Sequence, residues 1–126
     1  MIECKEILWD SIKHYQKPAE KDGILFSSNS DYYGFYIDGE FFGFGAVLYK
    51  GQDATSKSDW IFPEYRRKGL YLKVYPMKKQ MAFDRGIRYL HGHCTEMSIG
   101  AHVQMGADVI KVYKNGITKI RYENLS

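Results

Sequence analysis

Cysteine is scarce in this 126-residue chain: Cys4 and Cys94 are the only two, far apart, so a disulfide-stapled scaffold is excluded and reduced thiols are expected. There are only three prolines, and neither repeats nor low-complexity tracts. No apolar run approaches the length of a membrane span, and the opening "MIECKEILWD" lacks the apolar stretch of a secretory leader. A cytoplasmic protein without a membrane partner is the expectation. Charge is not concentrated in one sign either. The net value of +3 permits an anionic ligand but does not favour a dedicated nucleic-acid binder.

What is abundant is aromatic: 16% of residues, with 11 Tyr and 7 Phe, within a 44% hydrophobic composition. That balance favours strands, and the length suits one domain over residues 1–126. Residues 3–16 read as a helix from Leu8, Ile12 and Tyr15, ended by Pro18. "KDG" and "SSNSD" read as loop. "YYGFYI" and "FFGFGAVLY" form a hairpin through "DGE", and "KGQD" turns into a third strand that Pro63 terminates. Leu70, Val74, Met77 and Met81 predict an amphipathic helix ending near Gly86, with Pro76 expected to kink or restart it. A short strand "IRYLHGHC" follows, then a short helix capped by Thr95 or Ser98, with Gly106 near its end. A final hairpin turns on Asn-Gly. The expected class is α/β (α+β): a mixed, mostly antiparallel central sheet of about six strands with helices on both faces.

One stretch carries chemistry. "PEYRRKGLY" sits between a strand and a helix, where successive backbone N–H groups and the helix dipole converge. Gly69 lets backbone approach a phosphate, and Arg66, Arg67 and Lys68 add charge. The same residues also read as a solvated basic turn. "IFPEYRRKGLY", with the elements after it, resembles the GNAT superfamily of N-acetyltransferases, whose signature is Gln/Arg-x-x-Gly-x-Gly/Ala. The resemblance covers roughly residues 31–124. The sequence departs from the pattern at Tyr71, where Gly or Ala is usual, at Pro76, at "MGAD", where many members have an aromatic after the glycine, and at its start, where the usual first strand is missing or reduced to "MIEC".

The resemblance implies a GNAT-like acyl-CoA N-acyltransferase fold and transfer of acetyl from acetyl-CoA to an amine in a ternary complex. Ile61, Phe62, Arg66, Arg67, Lys68, Gly69, Leu70, Tyr71 and Thr95 would hold coenzyme A, its pantetheine arm lying where Asp59–Phe62 splays from "LHGHC". It places His102 where the family commonly has a Tyr that protonates the departing thiolate. An alkylamine must lose a proton before it attacks, and His91, His93 and Asp59 are the candidates for that base. A zinc reading of His91, His93 and His102 is disfavoured because Cys94 points away, so no metal is expected. Two other readings keep the fold. One is a phage-type enzyme modifying nucleic-acid bases, guided by Lys73, Lys78, Lys79, Arg85 and Arg88 on the long helix and just beyond it. The other is a non-catalytic binding protein. A homodimer through the C-terminal hairpin is compatible with either.

Overall fold

The computed structural model describes residues 1–27 and 29–125; Ser28, in the expected "SSNSD" loop, lies outside them. Strands β1 (Ile2–Ile7), β2 (Asp31–Ile37), β3 (Glu40–Lys50), β4 (Asp53–Ile61), β5 (Tyr89–Cys94), β6 (Asp108–Val112) and β7 (Thr118–Glu123) form one sheet ordered β1-β2-β3-β4-β5-β7-β6. Every pairing is antiparallel except β4 with β5. The helices are α1 (Gln16–Lys21), α2 (Leu70–Phe83) and α3 (Ile99–Gln104), with 3-10 turns at Trp9–Ser11, Lys13–Tyr15 and Pro63–Tyr65.

The sheet therefore has seven strands, one more than expected, because the opening residues are not a helix. Ile2–Ile7 pairs residue for residue with β2 from Ile37 to Tyr32. Ile2 and Cys4 pack towards α2, while Ile7 joins the opposite core. Leu8, an anchor of the expected apolar stripe, is exposed, and only Ile12 is fully buried. Pairing with an otherwise open sheet edge outweighs a weak helical period.

Two cores lie on opposite faces. One packs Tyr33, Phe35, Phe42 and Leu90 under α2 and α3. The other packs Tyr32, Phe44, Trp60 and Phe62 under Ile12 and Ala19 of the N-terminal turns and α1. Helix α2 is unbroken through Pro76, so the proline neither ends nor restarts it. Its buried face is Leu70, Val74, Tyr75, Lys78 and Ala82, rotated from the expected stripe, and Met77 is exposed.

The Asp38–Gly39 turn has both residues at positive φ, the twist that suits a two-residue hairpin. The last hairpin is longer than expected. Tyr113 N–H bonds Ile117 O, Gly116 N–H bonds Tyr113 O, and Gly116 sits at φ 87°, giving a three-residue loop around Asn115.

Candidate functional site

Strands β4 and β5 run parallel but pair only at Asp53–Tyr89, Ala54–Leu90 and Thr55–His91. Beyond that they part. The cause is visible on the other side of β4: Ser58 and Asp59 together oppose Gly45 of β3, between the Phe44–Trp60 and Ala46–Lys57 pairs, and Ser58 has φ 58°. An extra residue bends the strand and strengthens its twist. The gap so opened holds a cavity of about 300 Å³ that crosses the sheet. Tyr71, Tyr75 and His102 line it from the helical side, and Lys57 and His93 from the other.

A buried network fixes the bulge. Lys78 of α2 is 0% exposed, and its Nζ donates to Asp59 Oδ1 at 2.5 Å and Ser56 Oγ at 2.9 Å. Tyr71 Oη donates to Asp59 Oδ2 at 2.9 Å. A methyl group added at Gly45 would overlap the Asp59 carboxylate, so glycine there is a requirement of the bulge. Lys78 is thus no part of an outer basic face. Arg85 is likewise committed, to Glu6 and Asp31, so the five cations expected to guide a polyanion do not form one free row.

At the head of the gap a second cavity of about 270 Å³ is bounded by Arg66, Arg67, Gly69 and Tyr71, by Met97 just before α3 and by Ala101 within it. Arg67 and Gly69 take φ 62° and 73°, so the chain alternates hand just before α2. The Arg67, Lys68 and Gly69 N–H groups have no protein partner among the described residues. Such a nest, with the N-terminus of a 14-residue helix behind it, is suited to an anion. An added Cβ at Gly69 would meet no protein atom, so the space over the cradle is open. Tyr71 does not crowd it: its ring turns inward onto Tyr75 and His102 and separates the two cavities.

Arg66 is placed differently from Arg67 and Lys68. Its Nε donates to Ile61 O at 2.8 Å, and its Nη2 to Asp22 Oδ2 at 2.7 Å. Trp60 Nε1 donates to the same oxygen at 2.8 Å. These bonds, that of Arg66 foremost, lower the Asp22 pKa. Arg66 therefore ties the end of β4 to the loop after α1.

His102 is buried and bonded through Nδ1 to Tyr122 Oη at 2.8 Å. Desolvation lowers its pKa, with opposing contributions from Asp59 and Lys78, so it is neutral at pH 7. His93 lines the cavity, is exposed, and has no hydrogen-bond partner among the described residues. His91 stands outside the cavity lining, its Nε2 3.1 Å from Asp53 Oδ1. Thr95 and Ile61 line the cavity, and Leu70 lines the cradle. Phe62 is in the aromatic core, away from both. Burial raises both thiols, Cys4 to about 12, so neither is poised to be a thiolate nucleophile. Among the described residues no group of three His, Cys, Asp or Glu side chains is placed to hold a metal.

The Lys78–Asp59 pair and the Gly45 bulge escape sequence reading. A lysine at a core position of a helix scores as polar, and a bulge leaves no local signature beyond a glycine. A separate hollow of about 430 Å³ at the other edge of the sheet, between Glu6–Trp9 and Ser30–Tyr32, holds none of the candidate residues.

No family model and no curated protein matches the chain by sequence. Solved structures match it by shape. The ribosomal-protein-S18-alanine N-acetyltransferase of Escherichia coli superposes with a TM-score of 0.78 at 12% identity, covering 98% of this chain and 94% of that one. Spermidine N-acetyltransferase of Vibrio cholerae, described as dodecameric, gives 0.79 at 7% identity over 98% and 94%. A GNAT family acetyltransferase of Elizabethkingia anophelis, solved with acetyl-CoA bound, gives 0.70 at 11% over 97% of each chain. The chain thus has the fold of the GNAT acetyltransferases.

Proposed function

We propose that this chain is an acetyl-CoA-dependent N-acetyltransferase acting on an amine by direct transfer. The observation that carries the reading is the parted β4–β5 pair, with an open backbone N–H cradle at its head. The cradle fits a pyrophosphate: three unpartnered N–H groups, a helix N-terminus, and the exposed cations Arg67 and Lys68. The gap fits an amide-bearing arm, because β4 and β5 face each other there without pairing.

Acetyl-CoA supplies an activated acyl carbonyl and a thiolate leaving group. The chain's residues do the rest. His102, neutral and anchored by Tyr122, turns its other ring nitrogen to the cavity; with Nδ1 accepting from Tyr122 Oη, its Nε2–H hydrogen-bonds the departing sulfur, which leaves as the thiolate. His93, at the opposite mouth, is the base, since its ring nitrogens have no hydrogen-bond partner among the described residues while Asp59 is occupied by Lys78 and Tyr71. Backbone N–H groups of the unpaired β4 edge stabilise the oxyanion. The raised thiol pKa values speak against an acyl-cysteine.

Calorimetry with acetyl-CoA and with CoA tests the reading, and saturable binding of both is expected. Gly69→Glu should abolish it by placing a charged side chain over the cradle; retained affinity would remove the cradle from the mechanism. His93→Gln should lower kcat about 10²-fold with the KM for acetyl-CoA unchanged, and higher pH should partly restore the rate by deprotonating the amine.

A further inference from the structure

The face of β5, β7, β6 and the first half of β4 (residues 53–57) turned away from α2 and α3 lies outside the core that the N-terminal turns and α1 cover among the described residues. Side-chain alternation puts Lys57, His91, His93, Lys119 and Arg121 on it, because Ser56, Leu90, Cys94, Ile120 and Tyr122 are buried on the other face. Register extends the row: His93 pairs with Lys119, and Lys119 with Lys111. Lys57 and His93 themselves line the cavity that crosses the sheet. A cationic row thus runs across β6, β7 and β5, about 4.8 Å apart where they pair, and reaches Lys57 of β4 across the cavity at the proposed reaction centre.

None of Lys57, Lys111, Lys119 and Arg121 has a carboxylate partner among the described residues. The acids among the strand residues of this face are Asp53, Asp108 and Glu123, and all lie at the closed end of the strands; Glu96, in the loop after β5, lies against Gly116 at the other end. Asp53 pairs with Tyr89, Glu123 also with Tyr89, and Asp108 with Arg121. Asp53 is occupied by His91. Aromatic rings stand in for carboxylates: Arg121 lies 4.4 Å from the Tyr89 ring centroid, and Lys111 4.9 Å from that of Tyr113. The face is therefore polarised, positive towards the cavity and negative away from it.

We infer that the acceptor is a small amine carrying a phosphate or carboxylate, and that this open face binds the anionic group while the amine enters the gap beside His93. The inference rests on the proposed acetyl transfer and names its substrate class. Unpaired ammonium and guanidinium groups beside a low-dielectric cleft attract an anion and repel a polyamine.

The deciding measurement is an amide-shift titration of the CoA-saturated protein with inorganic phosphate, against potassium chloride at equal ionic strength. Phosphate alone should shift residues 92–94 and 118–120 saturably, and Lys111→Glu and Lys119→Glu should each weaken that binding about ten-fold with CoA affinity and melting temperature unchanged. Initial rates with ethanolamine, O-phosphoethanolamine, β-alanine and putrescine distinguish the sources of the anion. A phosphate site favours O-phosphoethanolamine, and a carboxylate site β-alanine, over ethanolamine by about ten-fold or more in kcat/KM. Unmoved strands, or preference for putrescine, would overturn the inference even in an active enzyme. Affinity for oligo-dT that grows with length, without preference among the amines, would replace it with nucleic-acid binding. Absence of CoA binding would instead sink the acetyltransferase reading, and a phosphate titration of the CoA-free protein then reads the anion site alone, by the shifts at residues 92–94 and 118–120.

Discussion

Gly45, Asp59, Lys78 and Tyr71 form a unit in which each member has one acceptable chemistry. Gly45→Ala should cost about 2–4 kcal/mol, since the new methyl must displace a hydrogen-bonded carboxylate. Gly100→Ala, on α3 with open space around it, should be neutral or stabilising by about 0.5–1 kcal/mol. Lys78→Met should cost about 3–5 kcal/mol by stranding Asp59, and adding Asp59→Asn should recover part of it; denaturant unfolding of the cycle measures both. His102 has a different signature. Its folded pKa lies below the unfolded value, so the unfolded chain binds the proton first as pH falls. The stability from a neutral His102 is complete above about pH 6.5 and declines below it, down to the folded pKa. His102→Phe should flatten that slope, and the His102 ring should titrate below a free histidine by NMR. In the sequence His102 was legible as a helix residue four before Gly106, but its burial against Tyr75 and Tyr122 was not, because those contacts join distant segments.

At the scale of elements, local chemistry was readable wherever it was self-sufficient. Asp38–Gly39 makes its own turn, Pro63 ends β4, and Gly69 opens α2, so the strand-to-helix turn lies where the motif places it. The first strand was not readable from its own pattern, and the resemblance left at most "MIEC" for it, because β1 exists through β2: its own residues alternate weakly, and Glu6 is held by Arg85 from beyond α2. The parting of β4 and β5 was expected only by resemblance. Its physical cause is two residues opposite one at Gly45. Arg66 joins elements, bridging Ile61 O to Asp22. Arg66→Ala should therefore weaken acetyl-CoA binding about five- to ten-fold by loosening the end of β4, and charge alone would not reproduce this: Arg66→Lys, which cannot make the two-armed bond, should recover only part of it. Calorimetry of the two variants checks the order.

Across the whole molecule, cover is distributed diagonally. Helices α2 and α3 shield one face, and the N-terminal turns and α1 shield the other face over β2–β4. Strand β6, exposed along its length and paired on one side only, should exchange its amide hydrogens fastest among the strands, and β3, buried from Phe42 to Val47, slowest. The diagonal has a kinetic consequence. The cradle lies beside α3 and the cation row on the bare face, with the cavity between β4 and β5 lying between them and the Tyr71 ring at its boundary with the cradle. Two substrates with separate doors need not queue. Initial-rate plots against acetyl-CoA and acceptor should intersect rather than run parallel, and each dead-end analogue should compete with its own substrate alone, so that neither must leave before the other arrives.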